Sequence, residues 1–486
     1  MTSEAPAPRL FCNRTLNMRS IQAVGFDMDY TLIHYFTRTW EERAYEHARR
    51  RLEERGYPVG ELRFDPDFAT LGLIIDLELG NVVKANRFGF VKRACHGTKM
   101  LSFQEQKAIY ARELIDLSEP RWVFMNTLFA LSEACLFAQV VDLFDQGKLT
   151  SPAHGVSVGE SAARPPMSYA DVYRLTRGAI DEAHMMGELK EEIMADPEGF
   201  VELDASVPLA LMDLRAAGKK VILITNSEWP YTKAMMSYAF DRYLEGTWRD
   251  LFDLVIVAAR KPDFFSSSPP IFEVVDENAG HLAPVTGDLE AGKAYLGGSA
   301  TLVERHLGVR GEDILYVGDH IFSDVNVSKK MHRWRTALVV RELEEDLRAQ
   351  HGFAQKQATL TDLMKQKEAI EHEYSVARLA ILRKDRGYGP QVEASVDALK
   401  AQIEGFRAEL KTIDEQIVPL VIEASKLSNE RWGLLMRAGN DKSHLARQAE
   451  KNADAYMTRV ACLGAETPFV YLRSPRGSLP HDPVAP

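Results

Sequence analysis

The stretch FDMDYTLIHY at 26–35 sets two aspartates, Asp27 and Asp29, one residue apart, directly after the apolar run 21–26. In an extended chain residues i and i+2 project to the same side, so both carboxylates can converge on one ligand. By itself the pair reads more readily as a turn or a cap. Three other apolar runs, however, end in residues that could complete a site. KVILITNS (220–227) closes on Thr225, Asn226 and Ser227, neutral donors suited to phosphate oxygens. LFDLVIVAARK (251–261) closes on the cation Lys261, and GDHIFSD supplies Asp319 and Asp324 after DILYVGDH (313–320). A carboxylate pair of that kind suits a hard cation with oxygen ligands. Singly, Lys261 reads as a solvated surface lysine and Asp319 as a helix N-cap. In this order and together they point to phosphoryl chemistry around a divalent cation.

The runs themselves say what positions these residues. Each is four to six residues long, β-branched and continuous rather than alternating, as in strands buried on both faces of a parallel sheet. Helix-like segments lie between them, such as ASVPLALMDLRAAG (205–218), with Gly218 as its C-terminal cap. The predicted fold is α/β, a doubly wound, Rossmann-like parallel sheet whose ligands bind beyond the carboxyl ends of the strands. Residues 1–35 and 200–350 form this catalytic core. The interval 36–199 is too long for one crossover and is expected to hold an inserted, mainly helical cap, with an exposed loop at 153–168.

Past residue 355 the pattern becomes heptad-like. Val392, Val396, Leu399, Ile403, Phe406, Leu410, Ile413, Ile417, Leu420 and Leu427 form one stripe; Leu360, Leu363, Ile370, Tyr374, Ala377 and Ile381 form another. The break DRGYGP (385–390) lies between them. This predicts an antiparallel helical hairpin over 355–437, its second arm kinked at Pro419. An intramolecular pair and an oligomer-forming arm explain the stripes equally. Residues 438–486 are expected to pack back on the core.

With 70 acidic residues against 59 basic ones, the net charge of −11 argues against a nucleic-acid polymer or an anionic membrane as partner. The four cysteines are scattered without metal-type spacing and read as reduced thiols. The N-terminal residues lack the apolar core of a signal peptide. The most apolar long window, 124–144, contains Glu133, Gln139 and Asp142, which makes it a buried helix rather than a membrane span. A cytoplasmic location is the expectation.

The motifs FDMDYTL, TNSEWPYT, ARKPDFF and GDHIFSD resemble those of the haloacid dehalogenase superfamily of aspartate-nucleophile phosphohydrolases. Within it they are similar to the cytosolic purine 5′-nucleotidase type (cytosolic 5′-nucleotidase II), which prefers IMP and GMP. LGNVVKANRFGFVKRACHG (79–97), NTLFALSEACLFAQVVDLF (126–144) and YLGGSATLVERHLG (295–308) extend the resemblance over most of the chain. It implies Mg²⁺-dependent hydrolysis of purine nucleoside 5′-monophosphates. Asp27 would be the nucleophile and form an aspartyl-phosphate, and Asp29 would move the proton. Thr225, Asn226 and Lys261 would stabilise the transferring phosphoryl group. The metal would be held by Asp27, Asp319, Asp324 and the main-chain carbonyl of Asp29. Transfer to another nucleoside would give a phosphotransferase activity.

In DVYRLTRGAIDEAHMMGELK, Arg177, Asp181 and His184 share one helical face, the pattern of a salt-bridged surface stripe. The resemblance instead implies that Arg177, Asp181, His184 and Lys190 contact the nucleotide together with Ser227, and that Phe129 stacks on the base. Donation from Arg177 suits a 6-oxopurine; Met185 stands where the family has an aromatic. A second, effector site is implied at Asn126, Phe322, Lys330, Gln448 and Lys451, the last replacing an arginine and so losing bidentate phosphate recognition. The family also implies a homo-oligomer, dimer or tetramer. Two other readings stand beside this one: a phosphatase of other nucleotides or sugar phosphates, and a non-catalytic nucleotide-binding interaction protein. The complete set at the strand ends counts against the last.

Overall fold

The computed structural model describes residues 10–127, 130–149, 168–185 and 187–475, with the side chains of His184 and Met185 left aside. The base-stacking expectation at Phe129, the side-chain role expected of His184 and nearly all of the loop expected at 153–168 lie outside the described residues.

Among these, seven strands run parallel: β1 (Ala23–Phe26), β2 (Lys220–Ile224), β3 (Leu254–Val257), β4 (Ala294–Gly297), β5 (Ile314–Gly318), β6 (Arg335–Val339) and β7 (Ala455–Met457). Their order is β7-β6-β5-β1-β2-β3-β4. Leu10–Cys12 pairs antiparallel with β7 at one edge, and Ile271–Asp276 with His281–Pro284 extends the other beyond β4. The continuous apolar runs have the reason expected of them: alternate residues enter two separate cores. Val24, Phe26, Leu223, Val255 and Val317 face one, where Leu211, Leu214, Met235 and Met236 meet them. Ala23, Ile222, Ile224, Ile256 and Tyr316 face the other, with Phe264, Val303 and Trp334. With both faces covered, this is a doubly wound sheet.

β1 lies between β2 and β5, so the chain leaves it in opposite directions on its two sides. That is a topological switch point, where a crevice opens beyond the strand ends. Gly25 is needed at its centre, since a Cβ there would stand 2.9 Å from Cδ2 of Tyr316. The close approach lets the Tyr316 ring lie across β1 and carry its hydroxyl to the catalytic end.

The interval 36–199 carries four helices near the site: α1 (Thr37–Glu54), α2 (Ala130–Asp145), α3 (Tyr169–Met185) and α4 (Glu188–Ala195). It also holds a five-stranded antiparallel sheet, which the expectation of a mainly helical insert does not include. Its order is Lys99–Met100, Val91–His96, Asn81–Ala85, Ile74–Asp76 and Trp122–Phe124. The segment 171–190, expected as one helix, is two: Gly187 takes φ 82° and separates α3 from α4. The apolar window 124–144 begins in a strand and continues into α2. Among the described residues no helix is long and apolar enough to cross a membrane.

Residues 345–434 form a compact unit of their own. Within it the helices α5 (Leu343–Arg386) and α6 (Val396–Ala424) pack Leu360 and Leu363 against Ile413 and Ile417. Nearer the turn, Ala377 and Ala380 meet Leu399 and Ile403. Val392, expected as the first seam position, precedes α6 and is 43% exposed. It belongs to the turn, because α6 starts only at Val396, after Ser395, whose hydroxyl accepts from Ala398 N as the N-cap.

Candidate active site

The carboxyl ends of β1, β2, β3 and β5 deliver the motif residues to one place. Lys261 is 7% exposed, and its Nζ lies 2.8 Å from Asp27 Oδ1 and 2.8 Å from Asp324 Oδ1. It also donates to the Tyr316 hydroxyl at 3.1 Å, whose own O–H donates to the carbonyl of Ile224 at 3.0 Å. Asp27, Asp319 and Asp324 each offer a carboxylate oxygen, all within 4.8 Å of one another. When all are ionised, three carboxylates and one ammonium carry a net charge of −2, the complement of one divalent cation. All donors are hard oxygens, so the residues present fit Mg²⁺. The Asp29 side chain stands outside this trio, its oxygens held by Tyr35 and Ser227.

The electrostatics follow from burial. Desolvation pushes the Asp27 carboxyl up to about 7, with Asp324 and Asp29 adding repulsion and Lys261 opposing it. Asp319 is likewise pushed well above the carboxylate range by burial and by Asp27 and Asp324. Burial alone would discharge Lys261, but Asp27 and Asp324 hold its ammonium well above its ordinary range. A cation held here would compete with protons for these carboxylates and favour the ionised form of Asp27.

Local geometry explains how each group is held. Asn226 clasps the main chain of Lys261: its Oδ1 accepts from Lys261 N at 2.6 Å and its Nδ2 donates to Lys261 O at 3.2 Å. Thr225 Oγ1 accepts from Ser227 N at 3.0 Å, tightening the turn after β2. Tyr30, Ala258 and Arg260 take positive φ of 54°, 45° and 59° beside Asp29 and Lys261. Non-glycine residues in that region store strain of order 1 kcal/mol or more each, a feature of functional sites. Gly318 has no room for a side chain, since a Cβ would meet Asp324 Oδ2 at 2.6 Å. His320 caps the π-helical turn Ile321–Asn326: its Nδ1 accepts from Phe322 N at 3.2 Å and Ser323 N at 3.0 Å. Burial holds that ring below its usual titration range.

Asp29 is engaged at both oxygens. Tyr35 donates to Oδ1 at 2.5 Å and Ser227 donates to Oδ2 at 2.6 Å. The hydroxyl of Ser227, expected as a substrate contact, is turned to this carboxylate. The Tyr35 oxygen lies 3.1 Å from the Tyr231 hydroxyl, and the Lys190 ammonium sits 5.1 Å above the Tyr231 ring. Lys190 thereby reaches the rim from α4 rather than from the helix that bears Arg177.

Arg177 and Asp181 pair on α3, Nε to Oδ1 at 2.9 Å, and Arg177 Nη1 meets the buried Glu133 of α2 at 2.7 Å. Glu133 belongs to no site motif; a carboxylate inside an apolar run is the one signal that could have marked it. Burial raises its acid above the ordinary range, with Arg177 opposing. Of the expected effector residues, Phe322 packs edge-on to Phe124, which also meets His444, and Gln448 hydrogen-bonds His444 at 3.0 Å. Asn126 is 8% exposed near the end of the strand Trp122–Phe124, while Lys330 and Lys451 are exposed.

A profile of the 5′ nucleotidase family matches residues 10–484. A 5′-nucleotidase domain-containing protein of Dictyostelium discoideum is 26% identical over 484 residues, covering 97% of this chain and 74% of its own. The 5′-nucleotidase domain-containing protein 2 of Homo sapiens is 28% identical over 475 residues, covering 93% and 81%. Among solved structures, an archaeal β-phosphoglucomutase from a hyperthermophilic Pyrococcus overlaps with a TM-score of 0.30 at 9% identity, over 66% of this chain and 86% of its own. CbbY from Rhodobacter sphaeroides in complex with phosphate gives 0.25 at 13%, over 66% and 86%. Overlaps of that size carry no weight; the fold rests on strand order and register.

Proposed function

Since the chain belongs to the 5′ nucleotidase family of phosphoric monoester hydrolases, we propose that it hydrolyses purine nucleoside 5′-monophosphates, IMP and GMP before others, through an aspartyl-phosphate on Asp27. The observation that carries this reading is the convergence of Asp27, Asp319, Asp324 and Lys261 at the switch point beside β1. Asp27 attacks phosphorus while the bond to the 5′-oxygen breaks, and Asp29 gives that oxygen a proton. Water then attacks the same phosphorus, Asp29 takes its proton, and phosphate leaves. Lys261 and the donors of Thr225 and Asn226 offset charge on the transferring group. Mg²⁺ held by Asp27, Asp319 and Asp324 would supply charge neutralisation of the phosphoryl oxygens. Arg177 and Lys190 stand on the cap helices α3 and α4 as candidates to read the base and its ribose phosphate.

The test is phosphate release from IMP, GMP, AMP, CMP and glucose 6-phosphate, with and without Mg²⁺. The proposal expects Mg²⁺-dependent release from IMP and GMP, at least about tenfold over CMP. Equal release from all five would retain the chemistry and remove the purine preference. No release from any would overturn the activity itself.

A further inference from the structure

Asp29 has to carry a proton to one oxygen and collect one from another, and the surrounding hydroxyls decide which of its two oxygens does so. Each phenol has one proton to give. Tyr35 spends its own on Asp29 Oδ1, at 2.5 Å. At 3.1 Å the Tyr231 hydroxyl must therefore be the donor to the Tyr35 oxygen. The Lys190 ammonium 5.1 Å above the Tyr231 ring strengthens that phenol as a donor. The result is a directed chain, Tyr231 to Tyr35 to Asp29, in which each bond polarises the next. Its members are rigidly set. Tyr35 is 3% exposed, its ring packed on Trp40 at 4.4 Å and on Tyr30 at 5.2 Å, and its main chain is paired with Val201. Tyr231 is equally buried on the helix Trp229–Phe240.

We propose that Tyr35, backed by Tyr231, is the positioning residue for proton transfer, fixing Oδ1 as a permanent acceptor and leaving Oδ2 as the oxygen that carries the proton. Oδ2 faces the Ser227 hydroxyl, a rotor that can release it and accept from it in turn. The proton on Oδ2 passes to the 5′-oxygen as the phosphorus–oxygen bond breaks and the Asp27–phosphorus bond forms. Oδ2 then takes a proton from the attacking water as the Asp27–phosphorus bond breaks, so the proton count returns to its start. Without Tyr35 the carboxyl loses one of its two anchors, and the proton can sit on the oxygen turned away from the leaving group.

The inference rests on the phosphomonoesterase reading, and leaving-group chemistry separates the two. An alkoxide leaving group needs the proton; a thiolate does not. Wild type, Tyr35→Phe and Tyr231→Phe are assayed on the nucleoside 5′-monophosphate that the wild type turns over fastest, and on the same nucleotide with sulfur in the bridging 5′ position. Tyr35→Phe is expected to lose about 30-fold or more in kcat on the oxygen ester, within the usual range for acid–base assistance, and less than about threefold on the sulfur analogue. Tyr231→Phe should show the same selectivity at smaller size. Equal losses on both substrates, or no loss on the oxygen ester, would overturn the role of Tyr35. A wild type inactive on every monoester would overturn the reading beneath it instead. If Tyr35→Phe does not fold, the selectivity of Tyr231→Phe decides alone, and its absence counts against the chain.

Discussion

Replacing Lys261 by methionine keeps the length of the side chain and removes the cation that, among the described residues, lies inside the carboxylate cluster. Each of its two contacts, at 2.8 Å, is worth roughly 6 kcal/mol at an effective dielectric of 20, together about 12. The three carboxylate pairs, taken at their outer separation of 4.8 Å, repel by roughly 3.5 kcal/mol each, together about 10. The lysine thus balances the cluster, and its loss leaves that repulsion to be relieved by protons or by an added cation. Truncating one partner of a buried ion pair costs about 3–5 kcal/mol in practice, because relaxation and water take up part of the difference. That destabilisation is expected for the Mg²⁺-free variant at pH 8. The sign with pH is fixed by Asp27, whose carboxyl is already raised to about 7 with the lysine present. Stability is lost as pH climbs from the ordinary carboxylate range toward that value, and without Lys261 the loss continues to higher pH. The gap between variant and wild type should therefore be widest at pH 8 and shrink toward pH 5.5, where protonation removes the repulsion. Excess Mg²⁺ at pH 8 should narrow it as well. Turnover should fall about 10²–10³-fold, the usual loss on removing one oriented charge donor. Urea unfolding of both proteins at pH 5.5, 7 and 8, with and without Mg²⁺, measures this. A gap that is flat across pH, or a variant as stable as wild type at pH 8, would refute the charge-balance argument.

Three further substitutions probe the supports. Glu41 is fully buried, accepts from Ser132 N at 2.8 Å, and is pushed up to about 8 by burial, so it folds as a neutral acid. A raised carboxyl loses stability as pH climbs from its unfolded range toward 8; Glu41→Gln should therefore stabilise by about 2 kcal/mol at pH 8 and little at pH 5, read by urea unfolding. His320→Ala removes an acceptor from two main-chain N–H groups beside Asp324 and should cost about 1 kcal/mol while weakening Mg²⁺ binding in calorimetry. Because burial depresses the His320 ring, this cap is present above its ordinary range and is lost as pH falls, so the two proteins should converge in acid. Gly318→Ala drives a Cβ against Asp324 at 2.6–2.7 Å and should cost about 1–3 kcal/mol and raise the Mg²⁺ needed for half-maximal rate several-fold.

The four strand-end motifs were legible in sequence because parallel strands buried on both faces leave continuous apolar runs, and a doubly wound sheet gathers the residues at the ends of those runs into one crevice. Less legible was which donor faces which acceptor. Tyr35 lies 6 residues from Asp29 but meets Tyr231 across 196, and Tyr316 reaches Lys261 across 55; no local spacing encodes such pairs. Ser227 shows the limit most plainly: its type fits a phosphate donor, and only the fold reveals that its hydroxyl points at Asp29. The antiparallel sheet of the insert escaped notice because its strands are two to six residues long and partly solvent-facing, too short for a periodicity to emerge. The division at Gly187 had a visible cue, a glycine inside a helical pattern, yet the amphipathic stripe crossed it without a break.

Turnover through Asp27 requires that its carboxylate become covalently phosphorylated. Mixing enzyme, Mg²⁺ and excess nucleotide, quenching with acid within milliseconds and mapping the peptides by mass spectrometry tests it most directly. One phosphoryl group per site is expected on the peptide bearing Asp27, labile to base as an acyl phosphate, and absent from Asp27→Asn, which should also release no phosphate. Full-rate phosphate release with no phosphorylated peptide, or undiminished turnover by Asp27→Asn, would contradict it.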